Sequence, residues 1–458
     1  MRPRVRDEMN AMLIQPFTVE EVILALKQIH PLKSPGPNGM SPLFYQKYWH
    51  IVGHDISCCV LDILHNCLLN PQLNFTNIVL IPKCPKLKSM PQFPPISLCN
   101  VVYKLASKTI VNHLRPLLNS LISPSQSDFV LGRLLTDNIL VAYEINHFIS
   151  RKQHGFTSHV SLKLDISKAY DRVKWNFFWR VLVRIGFYSK FIDLIMLCVT
   201  TVSYPFLLNR EDFGLLQSGR GFRQGDPLSP YLFLFYAEAF SSLVSQAERN
   251  GELQGVAVSR YAPRVLHLFF ADDTLIFYQA TSDAIACIKR ILESLERALG
   301  QKINLEKSAL VFSTNVSLTA RENLSAILGV TVDERHAKYL GLSTIIGQSK
   351  RKVFDSIKDQ IWSKMQSWAA KKLSQAGRAV LIKSVLQALP TFSMSCFRLP
   401  DSLLHEIEGM FANFFWHSGS KAKIHCIAWR KLCRPKVEGG LGFRRLCEFN
   451  EALLAKQA

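Results

Sequence analysis

The chain has 458 residues and carries 55 Lys and Arg against 35 Asp and Glu, a formal charge of +20 at pH 7. Its 48% of hydrophobic residues exclude a disordered tail, and its length suits about two to four domains. The longest apolar runs, near Phe191 to Val202 and Tyr231 to Phe240, fall short of the ~18 residues a membrane span needs, and the basic N-terminus lacks the apolar core of a secretory signal, so an intracellular chain with no membrane partner is expected.

In chain order, Thr18 and Glu21 have the spacing of a capping box and predict a helix from Thr18 to Ile29. The breaker cluster Lys33-Ser-Pro-Gly-Pro-Asn-Gly39 follows, and a proline-rich stretch from Pro82 to Pro95 resists regular structure. Helical periodicity returns over Tyr103 to Leu121 and Asn138 to Ser150. Val160 to Asp165 reads as a strand, Trp175 to Ile185 as a helix, and Asn209 to Asp212 as the tip of a hairpin. Leu228 to Arg249 is helical. Val265 to Tyr278 reads as two short strands joined at Ala271-Asp-Asp273, Asp283 to Leu299 as a helix, and Leu310 to Ser313 as a strand. Beyond this, Phe354, Ile357, Ile361, Met365 and Trp368 recur at helical spacing with Lys358, Lys364, Lys371 and Lys372 on other faces, and Ala379 to Leu389 predicts a second helix before Pro390.

Eleven cysteines are scattered through the chain with no C-x-x-C pair, so reduced, buried thiols are expected rather than a disulfide frame or zinc knuckle. Charge is less even. Residues 338–458 hold 20 Lys and Arg against 8 Asp and Glu, a surplus of +12, which suits a polyanionic partner.

The chemistry concentrates in His267 to Phe277, where adjacent Asp272 and Asp273 are flanked by apolar residues. Ionised carboxylates in such surroundings cost several kcal/mol, on the order of the penalty for burying any unpaired ion, unless a cation balances them. A hairpin tip is the plainer reading. A further carboxylate, Asp165, ends the strand Ser161-Leu-Lys-Leu, and two such strands side by side bring Asp165 opposite Asp272. Three oxygen donors on one sheet edge suit Mg²⁺, which takes substrate phosphates as further ligands, and two such ions about 3.5–4 Å apart form the clamp for in-line phosphoryl transfer.

The ordered set Asp165-x-x-x-Ala-Tyr170, Arg223-Gln-Gly-Asp-Pro-Leu-Ser-Pro230 and Phe270-Ala-Asp-Asp273 resembles the palm motifs of reverse transcriptases, in the wording of non-LTR (LINE-type) retrotransposons and of plant ones especially. Lys33 to Gly39, Ile96-Ser-Leu-Cys-Asn100, Thr136-Asp-Asn-Ile-Leu140, Asn304-x-x-Lys-Ser308 and Lys338-Tyr-Leu-Gly341 support it. The resemblance implies an α+β right-hand polymerase, with helical fingers over 1–159, a palm with an antiparallel sheet over 160–337, a basic helical thumb over 338–415 and a connection over 416–458. It implies RNA-directed DNA synthesis from a primer 3′-OH with dNTPs on an RNA template and DNA primer, two Mg²⁺ or Mn²⁺ ions, and work in the nucleus. Asp165, Asp272 and Asp273 would be the catalytic, metal-holding carboxylates. Tyr170 would exclude a ribose 2′-OH, Arg223, Gln224, Gly225 and Lys307 would meet the dNTP, and Lys338, Tyr339, Leu340 and Gly341 would grip the primer.

Departures are informative. Asn38 stands where the family has Asp, Leu131 where it has Pro, and Pro94-Pro95 where it has Arg-Pro before Ile-Ser-Leu, so an Arg expected to help bind the triphosphate is missing, and Lys83, Lys86, Lys88 and Lys104 are candidate replacements. The resemblance covers Phe17 to the C-terminus and implies a piece of a longer polyprotein, without endonuclease or RNase H. The competing reading is a degenerate remnant that binds nucleic acid without catalysis. An RNA-synthesising palm polymerase is the third reading, and Tyr170 opposes it.

Overall fold

The computed structural model describes residues 3–82, 92–208, 211–333, 338–343, 350–369, 373–416 and 424–457. Lys83, Lys86, Lys88, Asn209, Lys371 and Lys372 therefore lie outside the described residues. Contacts divide the chain into two compact units, one of Met1–Asn138 with Phe148–Glu334 and one of Ile139–His147 with Arg335–Ala458. Helices and sheets are mixed, as the expected α+β class requires, and no helix among the described residues is long and apolar enough to cross a membrane.

In the first unit, Thr76–Leu80 (β1) and Pro95–Cys99 (β2) form an antiparallel pair, His159–Leu164 (β3) follows, and Ser203–Leu208 (β4) pairs with Glu211–Gln217 (β5). His267–Phe270 (β6), Asp273–Gln279 (β7), Ala309–Phe312 (β8) and Thr331–Val332 (β9) complete a five-stranded sheet with β3, ordered β6-β7-β3-β8-β9. All its pairings are antiparallel except β8 with β9. β3 is central, and Val160, Leu162 and Leu164 are fully buried beside Ile276, Phe277 and Tyr278 of β7. Burying each such side chain contributes about 1.5–3 kcal/mol, and that burial fixes register, because a one-residue slip turns every side chain over.

The helices are built from the same local chemistry. The Thr18 hydroxyl accepts from the Glu21 amide and the Glu21 carboxylate from the Thr18 amide, so the capping box opens a helix at Val19. Phe178, Val181, Leu182 and Ile185 form the buried stripe of Trp175–Ile185, which ends at left-handed Gly186. Ser282–Leu299 starts at Thr281, whose hydroxyl accepts from the Ala284 amide, and ends at Gly300.

β1 and β2 flank the proline-rich stretch from Pro82 to Pro95, for which no strand was expected, and share only Pro95 with it. Pro95 is tolerated because it is the first residue of its strand, where a missing amide disturbs the ladder least.

The second unit has its own core of Phe354, Ile357, Ile361 and Met365 with Ile407 and Phe411, on helices Lys350–Ala369 and Asp401–Trp416. The expected helix Ala379–Leu389 instead begins at Gln375, where the Ser374 hydroxyl accepts from the Gly377 amide, and passes into a π-helical turn at Ile382–Leu386. Lys338–Tyr339 (β10) and Leu342–Ser343 (β11) form a hairpin whose turn residues, Leu340 and Gly341, both have positive φ, the backbone a tight two-residue hairpin needs.

Candidate active site

A cleft of about 680 Å³ in the first unit is lined by residues from five separated segments, among them Pro95, Asp165, Tyr170, Gln224, Asp272 and Lys307. β3 delivers Asp165 as the residue just past its C-terminal end. The following chain is fastened there by backbone pairing, since the Asn304 amide donates to the Asp165 carbonyl at 2.9 Å and the Ser167 amide to the Lys302 carbonyl at 2.9 Å. The Asp165 amide donates to the Ser308 hydroxyl at 3.2 Å, and that hydroxyl donates to the Asn304 carbonyl at 2.8 Å. The Asn304 to Ser308 motif is thus a clasp around Asp165, and it brings Lys307 to the cleft.

β6 and β7 deliver the other carboxylates. Phe270 pairs with Asp273, leaving Ala271 and Asp272 as the turn, with Ala271 at φ +51°. Asp272 lines the cleft together with Asp165. Asp273 does not. The register that pairs Leu164 with Thr274 sets Asp273 beside Asp165 on the sheet, where burial raises its carboxyl, Lys163 opposes the rise and Asp165 adds to it. Among the described residues no group of three His, Cys, Asp or Glu side chains is arranged to hold a metal ion. Asp165 and Asp272 line the cleft and Asp273 stands beside Asp165, a hard-oxygen set that fits Mg²⁺ or Mn²⁺, because Mg²⁺ is commonly held by one or two carboxylates plus substrate phosphates.

Tyr170 stacks on Phe233 with ring centroids 4.7 Å apart and an interplanar angle of 12°. Burial, helped by Asp128 and Asp272, raises its phenol pKa, so the ring stays neutral. Gly225 has φ +108°, and a Cβ there would stand 2.9 Å from the Ser97 carbonyl oxygen. The Ser97 amide donates to the Gln224 carbonyl at 2.7 Å, so the Gln224-Gly225 loop is docked on β2, and only glycine fits that approach. The Gln224 side-chain Nε2 donates to the Asp171 carboxylate at 3.3 Å, and both residues line the cleft.

Arg223 also borders the cleft, but its buried guanidinium is engaged elsewhere. It donates to Asn74, Thr76 and the Cys198 carbonyl, pairs with Asp226 at 3.3 Å and stands over the Tyr103 ring at 3.9 Å. Asp226 in turn accepts from Tyr103, Ser107 and the Leu228 amide, so this pair braces the loop from behind. Lys104 is likewise unsuited to a phosphate: it is 2% exposed and donates to the Ser34 carbonyl at 2.9 Å. Asn38 keeps its loop in shape by accepting from the Met40 amide and donating to Tyr45.

Sequence reasoning passed over Lys168, Asp171 and Arg172, which line the cleft, and Asp128, whose carboxyl burial pushes up to about 7 with a contribution from Asp272. Asp171 directly follows the Tyr170 motif and could have been found there; Asp128 had no such signal. Lys338 to Gly341 belong to the second unit.

The model of the reverse transcriptase (RNA-dependent DNA polymerase) family matches residues 81–344, more than half of the chain. An uncharacterised 149 kDa protein of transposon TX1 from Xenopus laevis is 25% identical over 443 residues, which are 96% of this chain and 33% of that protein. The Pol polyprotein of the R2DM retrotransposable element from Drosophila melanogaster is 26% identical over 331 residues, 71% of this chain and 28% of that protein. A putative ribonuclease H protein of Arabidopsis thaliana is 42% identical over 104 residues, 22% of this chain and 17% of that protein. The chain therefore spans a third or less of each of these relatives.

Proposed function

The chain belongs to the reverse transcriptase family, and on that premise we propose that it extends a DNA primer on an RNA template, joining the primer 3′-OH to the α-phosphate of a dNTP with release of pyrophosphate, as part of a LINE-type element. The observation that carries this reading is the lining of one cleft by Asp165, Tyr170, Gln224, Gly225, Asp272 and Lys307. In this reading the first unit supplies fingers and palm, and the second supplies the thumb, with its Lys338 to Gly341 hairpin as primer grip. A DNA primer implies work where the cell keeps its DNA.

Asp165 and Asp272 would hold the divalent ions, two Mg²⁺ in the proposal. When bound, these ions supply Lewis-acid stabilisation of the attacking and leaving oxygens. Asp273, beside Asp165 on the sheet, would contribute a further carboxylate to the metal site. Tyr170, braced by Phe233, fills the space that a ribose 2′-OH would need. Gln224 offers a donor and an acceptor at the nucleotide, and Gly225 lets the backbone approach it. Lys307, exposed at the mouth, would stabilise the leaving pyrophosphate. The Arg223 guanidinium acts behind the loop as a brace.

The test is primer extension on poly(rA)/oligo(dT) with Mg²⁺, comparing the wild-type chain with Asp272→Asn. Extension by the wild type that falls to background in the variant, with duplex affinity retained, is the expected result. Duplex binding without extension by the wild type would favour the remnant reading instead.

A further inference from the structure

Residues 123–128, far in sequence from the carboxylates, run alongside β6 and end against the turn that carries Asp272. Gln126 bridges Phe269 in parallel register. The Phe269 amide donates to the Ser125 carbonyl at 2.7 Å, and the Phe269 carbonyl accepts from the Ser127 amide at 3.2 Å and from the Asn138 side chain at 2.8 Å. Asn138 also accepts from the Ser127 hydroxyl at 2.8 Å. Arg133 donates to the backbone carbonyls of Ile122, Ser123 and Gln126, which fixes the shape of the segment.

One side chain reaches beyond β6. The Gln126 Oε1 accepts from the Ala271 amide at 3.2 Å and from the Asp128 amide at 3.1 Å. Gln126 is 2% exposed, and its Nε2 is buried with no hydrogen-bond partner. Ala271 has φ +51°, a left-handed conformation that a residue with a Cβ adopts only when its surroundings impose it.

We propose that Gln126 is a positioning residue, whose carboxamide oxygen holds the Ala271-Asp272 turn in its left-handed form and so fixes where the Asp272 carboxylate stands in the cleft. The proposal rests on the reading of Asp272 as a carboxylate of the polymerase centre. Backbone pairing secures β6 up to Phe270, and β7 resumes at Asp273. The Ala271 amide between them is held by a side chain 145 residues away. A small displacement of a group that must meet reacting atoms costs up to about a hundredfold in rate.

The unpartnered Nε2 makes the idea separable from a merely structural role. Gln126→Met keeps the shape, removes the buried unpaired donor and removes the acceptor. A merely structural residue would leave kcat unchanged whatever the net change in stability, because the variant both deletes an unsatisfied buried donor and orphans the Ala271 and Asp128 amides. Positioning predicts a kcat for primer extension about tenfold lower with an unchanged KM for dNTP. It also predicts faster amide exchange at Ala271, read with residue-level fragmentation of a peptide spanning Leu268 to Leu275. Gln126→Glu, which keeps acceptor oxygens at the same reach, should retain the slow exchange. Wild-type exchange at Ala271 in Gln126→Met, or fast exchange with wild-type kcat, overturns the proposal. Should the wild type extend no primer, the polymerase reading fails, while the exchange comparison still decides whether Gln126 holds the turn.

Discussion

The cleft of the first unit and the basic helix of the second use charge in different ways. In the cleft Asp165 has its place set by the Asn304 to Ser308 clasp, Gln224 by β2, and Arg223 by Asn74, Asp226 and Tyr103. On helix Lys350–Ala369 the cations stand on an exposed face. Arg351 and Lys358 share Glu406, and Lys350, Lys352 and Lys364 are exposed. Positioned groups act on bond-making and selectivity; exposed cations act on a diffuse polyanion. Substitutions in the two regions should therefore fail in different assays.

The largest expected separation is in acid stability. Burial pushes His267 down to about 4, and burial together with Lys152 does the same to His159. Both lie in the first unit, and among the described residues the second has no buried histidine. An imidazole whose folded pKa is depressed contributes stability that is full above its unfolded value near 6.5 and is lost as pH falls toward 4. The loss for the more buried His267 is about 3 kcal/mol. Acid should thus melt the first unit before the second, as followed by residue-resolved amide exchange between pH 7 and pH 4. Simultaneous melting would show that the two units unfold together.

Next comes selectivity. Tyr170→Val removes the ring stacked on Phe233 and should raise the rNTP-to-dNTP ratio of kcat/KM by about 10- to 100-fold, the range for reshaping a steric pocket. The salt dependence of duplex binding should stay as in wild type. A shifted salt slope with unchanged selectivity would reverse the roles assigned to the two regions.

The smallest effect is expected from the exposed cations. Joint replacement of Lys350, Lys352 and Lys364 by Gln should flatten the log–log salt slope of template–primer affinity by at most about 0.9 per lysine that meets a phosphate. Nucleotide selectivity should not move. Titration at several salt concentrations measures the slope, and an unchanged slope would place the phosphate contacts on other basic residues.

Much of the local structure was legible because its causes are local. The Trp175–Ile185 stripe, the Thr18 capping box and the hairpin around Ala271-Asp-Asp273 depend on residues a few positions apart. The basic helix over Phe354 to Trp368 was legible for the same reason. What escaped depended on distant partners. Pro95 reads as a breaker until Leu80 pairs with it. Arg223 reads as a nucleotide contact, and only the fold reveals that Asn74, Cys198 and Tyr103 surround it. Lys104 reads as a free cation until burial and Ser34 claim it.

By itself, then, the sequence determined which segments could be strands or helices, where the chain had to turn, and which residue types were available for carboxylate chemistry and phosphate binding, because periodicity, capping and turn preferences act over a few residues. Tertiary structure alone decided that Asp272 faces the cleft while its neighbour Asp273 lies on the sheet beside Asp165, that Arg223 braces from behind, and that Gln126 meets Ala271. These outcomes follow from strand register and burial, which are set by residues 50 to 150 positions apart, on the order of the separations that loop closure must bridge, and no local pattern encodes them.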